Sequence, residues 1–469
     1  MQALQEFKEL SSEYSDGEVV ALLPFWSSVY TKLAMDCDGR VREQSHLCLL
    51  TVVTKVGRNL ALQLSQLAGV WYLAHFDPHQ PAALAASQAW AAAFPPAKQA
   101  GAITFCRDHI MALVIENLTL ATPHTLSDPN ITSPEEMEAK YLRTLSMSMT
   151  GLAALMEKAP PSEEQLGSLL KQPKFWKYSR NKDGNVRQGL FEVITQLCSL
   201  KPDLANSHGS SLVPAVLTNL QETELGAATA VWTAALQTVS TVREVWELVS
   251  LQKAVLPPLY KLISAGGAGL AHKTFPSLMP FLSRIPPTVL TEENCRLIRR
   301  WLDSFNAAVT SALETNKTLP GGEMNAVVTA YLECIVLILN MQQVDHEEKV
   351  NILEEHVLNN LLIRSFSQDK LSDSCLYEVT ARFLLSWESK QHMASLNGLL
   401  WSSLTHHLTT VIPSQGNFKA PLKLISSFCH QQNRSESVKL VICSVWTVLL
   451  EELDHSSNNE PRVLDCWTD

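Results

Sequence analysis

The sequence predicts an all-α fold, an irregular HEAT/ARM-like solenoid of stacked antiparallel helix pairs. Three observations predict it. Apolar residues recur at three- and four-residue steps through almost every segment. No run shows the period-two alternation of a half-buried strand. One helix–turn–helix unit also recurs along the chain.

The first copy of that unit is Leu22–Val56. Leu22, Phe25, Trp26, Val29 and Leu33 form an apolar stripe, expected to face the core. Asp36-Cys37-Asp38-Gly39 breaks the stripe with turn formers. Val41, Ser45, Cys48, Leu49, Val52, Val53 and Val56 resume it, with Arg40 and Arg42 beside the turn. Such a hairpin cannot bury its own apolar face, so neighbours on both sides are required.

Phe175–Leu200 repeats the pattern. Phe175 and Trp176 match Phe25 and Trp26, and Asp183-Gly184-Asn185-Val186-Arg187 echoes Asp38-Gly39-Arg40-Val41-Arg42. The two valines lie 145 residues apart, or three to four repeats at the roughly 40–47-residue HEAT period. Asp36, Asp38, Val41 and Arg42, with Asp183, Val186 and Arg187, therefore read as structural residues of the repeat turns. Arg40 and Arg42 are expected to bond Asp36, Asp38 or the turn of an adjacent repeat.

The other elements follow in order. Met1–Leu10 reads as the end of a helix entering from a preceding segment. Leu60–His75 and Pro81–Phe94 are Ala- and Leu-rich, hence buried, and Pro95-Pro96 stops the second. Lys98–Leu120 is a helix, and Thr122–Pro134 is a Pro-rich loop. Ser133-Pro134-Glu135-Glu136 supplies a cap, a first-turn proline and dipole-compatible acids for a helix reaching about Lys158. Pro202–Gln221 and Glu224–Ser250 form a further pair.

Lys253–Ala265 ends in Gly266-Gly267-Ala268-Gly269, a break allowing a bend. Phe275–Ser283 and Thr291–Ala312 follow, the latter capped by Thr291 with Glu292 and Glu293 in its first turn. The remaining helices fall near Ala326–Asn340, His346–Ser365, Leu371–Ser386, Met393–Val411, Lys419–Cys429 and Ser437–Leu453. Grouped, these are repeats over 1–121, 135–317 and 324–454, loops at 122–134 and 318–323, and a frayed tail at 455–469.

Composition narrows the class. A chain of 469 residues, 46% hydrophobic and 18% charged, is too apolar for disorder. Its net charge of −10 argues against coating DNA or RNA non-specifically, though a local basic patch remains compatible. The ten cysteines contain no CxxC pair, which suggests reduced, mostly buried thiols in the cytosol or nucleus. The uncharged apolar runs Cys334–Met341 and Leu440–Leu450 fall short of the ~20 residues of a membrane helix, and the charged opening segment is no signal peptide.

Chemistry is sparse. His406-His407 are adjacent and point to different helix faces, and Cys429-His430 has only Cys443 nearby, so no metal site is expected. Gly266–Gly269 lacks P-loop spacing and follows a helix. No nucleophile elbow or catalytic-cysteine signature occurs. Trp26, Trp71, Trp90, Trp232, Trp246, Trp301 and Trp446 read as core packing.

One patch differs. Between Lys171 and Arg187, six basic residues face the single acid Asp183. Lys171, Lys174, Lys177 and Arg180 are spaced by three, with Lys182 following. The plain reading is a solvated helix edge; the functional one is contact with a phosphate backbone of RNA.

Several stretches resemble the listerin family in the same order along the chain. They are LPFWSSVYTKLAMDCDGRVRE (Leu23–Glu43), PAALAASQAWAAAFPPAKQAGAITFCRDHI (Pro81–Ile110), LSDP (Leu126–Pro129), KFWKY (Lys174–Tyr178), AGGAGLAHKTFPSLMPFLSRIP (Ala265–Pro286) and LLSWESK (Leu384–Lys390). The resemblance implies the N-terminal HEAT-repeat region of a RING-type E3 ubiquitin ligase of ribosome-associated quality control, acting in the cytosol on nascent chains stalled on the large (60S) ribosomal subunit, for proteasomal degradation. The implied partners are that subunit with its stalled peptidyl-tRNA and a partner that senses the obstructed subunit. E2, ubiquitin and zinc are implied only through a C-terminal RING. Ten scattered cysteines cannot supply the RING's closely spaced ligands, so this chain is expected to carry no catalysis, metal or cofactor, and to contact neither membrane nor DNA. The alternative is a generic α-solenoid adaptor or transport scaffold, since fold does not dictate function.

Overall fold

The computed structural model describes residues 1–286, 294–314, 321–366, 376–388, 394–415, 419–430 and 436–456. Every regular element among them is helical. The chain separates into two compact units, Met1–Val255 and Leu256–Asp469. This division falls inside the 135–317 group of the sequence reading rather than at either of its two loops.

The first unit runs α1 (Gln2–Glu13), α2 (Asp16–Leu33), α3 (Gly39–Val56), α4 (Leu64–Ala74), α5 (Gln80–Ala93), α6 (Pro96–Thr119) and a one-turn α7 (Pro123–Leu126). It continues with α8 (Pro134–Lys158), α9 (Glu163–Leu170), α10 (Pro173–Lys177), α11 (Gly184–Leu200), α12 (Pro202–Ser207), α13 (Gly209–Leu217) and α14 (Leu225–Thr241). The segment 122–134, read as loop, thus contains one helical turn, capped by Thr122. Helices stack on their second neighbours early in the unit, α3 on α5 and α4 on α6, and on their third neighbours where short helices intervene, α8 on α11 and α11 on α14. Each apolar face is covered by the next pair, as stacked repeats require.

Helix starts carry local signals. Ser133 and Glu136 form a capping box at α8, and Ser15–Glu18 and Ser162–Gln165 do the same at α2 and α9. Those at α8 and α9 each satisfy two amides, and at α2 the Ser15 amide donates to Glu18 at 2.9 Å. Asp38 and Asp183 cap α3 and α11.

The inward face of α2 differs from the sequence reading. Val19, Leu23, Trp26, Ser27 and Tyr30 are buried, whereas Leu22, Phe25 and Val29 face solvent, Phe25 with 74% exposure. Trp26 belongs to both stripes, and three contacts choose between them. Phe7 of α1 stacks on Trp26 at 4.5 Å, Tyr30 bonds His46 of α3 at 3.0 Å, and Leu23 is sealed. Phe175, its counterpart in the echo, is fully buried. The repeat therefore holds in the turn and second helix, not in the first. Of the other tryptophans, Trp71, Trp90, Trp232 and Trp301 are buried as expected, Trp246 is half-buried and Trp446 is exposed.

In the second unit, Gly266–Gly269 forms a tight turn with positive φ throughout, 74° at Gly267. A Cβ there would meet Ala271 Cβ at 2.9 Å, so both backbone and space require glycine. Two residues beyond the turn, Ala271 N donates to Glu323 at 2.6 Å, and His272 Nδ1 pairs with the same carboxylate. The turn is docked on an acid of its own chain. Gly322–Leu339 is the one described helix long and apolar enough to cross a membrane by length and composition. It includes Glu323 and Glu333, and most of it is buried in the unit. Thr291, Glu292 and Glu293, residues 318–320 of the expected loop, and 457–469 of the tail lie outside the described residues.

Candidate functional site

The two echoed turns build the same arrangement. Arg42 donates to Asp77 through Nε (2.6 Å) and Nη2 (2.9 Å), and its Nη1 donates to the Asp36 and Cys37 carbonyls at 3.0 Å. Arg187 donates to Glu222 through Nε (2.5 Å) and Nη2 (3.0 Å), and its Nη1 donates to the Asn181 carbonyl at 2.7 Å. In both, the arginine reaches back six residues to its own turn and forward 35 residues to the next. The planar fork of arginine suits this double task, which a lysine ammonium could not perform.

Asp36 and Asp38 sit where the turn needs them. Asp36 Oδ1 accepts from the Asp38 amide, and Asp38 Oδ1 accepts from the Arg40 amide, both at 2.9 Å. Asp183 accepts from Asn185 and Val186. Val186 is buried and Val41 half-buried, completing the hydrophobic side of the turn. Arg40 stands apart, mostly exposed and bonded weakly to Asp38 at 3.4 Å.

Sequence spacing did not disclose Asp77, Glu222 or Arg143. Arg143 of α8 donates to the Met35 and Asp36 carbonyls at 3.2 and 2.8 Å, tying α8 to the first turn. Burial pulls its guanidinium down to about 10, with Arg42 next to it adding to the effect. The arginine-to-acid step of 35 residues is the one signal that would have found Asp77 and Glu222.

The basic patch is divided by the fold. Lys174 is half-buried and donates to the Thr119 and Ala121 carbonyls at 3.2 and 2.9 Å, at the C-terminus of α6. A cation there answers the negative end of the helix dipole. Lys182 pairs with Glu138 at 3.0 Å, and Arg187 belongs to the turn. Lys171, Lys177 and Arg180 remain exposed, without a carboxylate partner; Arg180 only approaches Thr218 Oγ1 at 3.5 Å. Of the five candidate contacts, Lys171, Lys177 and Arg180 are thus exposed and unpaired with an acid, Lys182 is exposed but paired, and Lys174 is turned inward. The unpaired trio rests on a firm platform, because Phe175, Trp176 and Tyr178 between them are buried, with Trp176 Nε1 and Tyr178 Oη bonded to the Leu170 and Leu118 carbonyls at 2.8 Å.

Residues 1–285, which hold both turns and the patch, match the family model of the E3 ubiquitin-protein ligase listerin, N-terminal domain. The chain belongs to the listerin family. It is 34% identical over 423 residues to the E3 ubiquitin-protein ligase listerin of Xenopus tropicalis, covering 86% of this chain and 25% of that protein. The listerins of Gallus gallus and Mus musculus are 33% and 34% identical, covering 84% and 83% of this chain and 22% of each. The chain therefore spans about a quarter of the length of the curated listerins it matches.

Among the described residues, the cysteines are all unbridged. Burial pushes the Cys48, Cys106 and Cys198 thiols up to about 11. These thiols are inert packing groups of a listerin solenoid, since the reactive form is the thiolate.

Proposed function

We propose that this chain is the docking arm of a listerin E3 ubiquitin ligase of ribosome-associated quality control. In this reading it binds the large (60S) ribosomal subunit carrying a stalled peptidyl-tRNA, together with the partner that senses the obstructed subunit, in the cytosol. Ubiquitin transfer to the nascent chain, for proteasomal degradation, belongs to a zinc-binding RING elsewhere in the full-length protein, which recruits E2 and ubiquitin. The arm itself supplies position.

The observation that carries the reading is the exposed trio Lys171, Lys177 and Arg180, held on a rigid aromatic platform in a chain of net charge −10. Side chains with no carboxylate of their own release counterions from a phosphate backbone when they dock on it. Arg42 and Arg187 are spent internally, so they keep the repeats in register while the trio faces outward.

The test is sedimentation of the purified chain with stalled large subunits, with and without the sensing partner. Co-pelleting in at least one condition supports docking. Its absence in both would favour a generic adaptor.

A further inference from the structure

In the second unit, three side chains with metal-ligating atoms converge from two separate elements. Asp303 lies in the Asn294–Glu314 helix; Glu355 and His356 are neighbours in the Leu353–Ile363 π-helical segment. Their ligand atoms all lie within 4.8 Å of one another. We propose that Asp303, Glu355 and His356 bind one divalent transition-metal ion of the zinc class.

Two features of the side chains support the site. The imidazole is built into the core: His356 is 2% exposed, and its Nδ1 lies 2.7 Å from the Tyr331 hydroxyl. A fixed ring with a bonded nitrogen is the usual support of a metal-binding histidine. The two carboxylates are exposed, so their side chains can draw in to the roughly 3.3–3.6 Å between ligand atoms that ~2.0–2.2 Å bonds to a tetrahedral ion imply.

The surroundings are short of positive charge. A cavity of about 410 Å³ beside the trio is lined by Glu348, Glu354, Glu355, His356 and Arg299 among others. Arg299 is already bonded to Glu348 at 2.9 and 2.6 Å. Asp303, Glu354 and Glu355 therefore present an excess of negative charge that a cation would relieve.

An internal comparison sharpens the assignment. Tyr30 and His46 in the first unit form the same hydroxyl–imidazole pair, at 3.0 Å. There the second ring nitrogen, Nε2, is buried without a hydrogen-bond partner. The Tyr–His pair is thus a packing device of these repeats, and of these two copies the second has two carboxylates gathered at the ring. One imidazole and two carboxylates leave a coordination position for water, the pattern of open rather than closed zinc sites. The ion would join the Asn294–Glu314 helix to the π segment.

The experiment is a competition titration of the intact chain with Zn²⁺ against a chromophoric chelator, for the parent, Asp303→Asn, Glu355→Gln and the double variant. Both changed residues are exposed, so circular dichroism should show all four proteins equally folded. The expected result is one zinc equivalent in the parent whose affinity falls at least about tenfold in each single variant and which is missing in the double. A zinc-dependent rise in unfolding temperature should accompany it in the parent and be absent from the double variant. Equal binding by parent and double variant, or none by the parent, would overturn the proposal.

Discussion

Arg42 and Asp77 meet across two repeats in a bidentate pair that solvent barely reaches, with side-chain exposures of 4% and 0%. The pair also fixes both turns, because Asp77 Oδ1 accepts from the His79 amide at 2.8 Å while Arg42 holds the Asp36 and Cys37 carbonyls. Neither residue can be removed without leaving the other's charge buried.

Arg42→Met is therefore expected to lose about 3–5 kcal/mol of stability, the usual cost of stranding a buried ion. Arg187→Met should lose less, since Arg187 is 13% exposed and Glu224, one of its partners, is open to water. Urea unfolding of the two variants checks the order. Arg42→Met/Asp77→Leu should recover part of the loss, because an apolar pair leaves no orphan charge.

Gly189→Ala should destabilise the stack of α8 on α11. A Cβ there would sit 2.6 Å from Met149 Cβ, inside any real contact distance. The helices would have to part, at a cost of about 1–3 kcal/mol. An unchanged urea midpoint would contradict the close approach.

His46 gives the fold a pH dependence. Burial depresses its pKa from the ordinary 6.5 to about 4. The unfolded chain then binds a proton that the folded chain refuses, so stability is intact above about pH 6.5 and falls as pH drops toward 4. The span corresponds to roughly 3 kcal/mol. Stability measured at pH 7.5 and 5 should fall steeply in the parent, and His46→Gln should flatten part of the slope. His75 and His356, also lowered by burial, retain the rest.

How much was legible follows from where each signal resides. The turns at 38–42 and 183–187 were readable because cap, glycine and arginine lie within five residues, and a local signal survives without the fold. The orientation of α2 was not, because Leu22, Phe25 and Val29 are as apolar as Leu23 and Trp26, and only α1 and α3 decide between them. Lys174 read as a surface cation since nothing in its neighbourhood names the α6 carbonyls 53 and 55 residues earlier. Asp303 and His356 escaped for the same reason: ligand spacing recognises neighbours in sequence, and these are neighbours only in space.

The most direct test of the docking account is the salt dependence of binding to stalled large subunits, for the parent and a Lys171→Glu/Lys177→Glu/Arg180→Glu variant. If the trio contacts phosphate, the parent's log–log salt slope should be steeper by about 2–3, from ~0.7–0.9 per contact, and the variant should bind more weakly at every salt concentration. Coincident curves for the two proteins would contradict it.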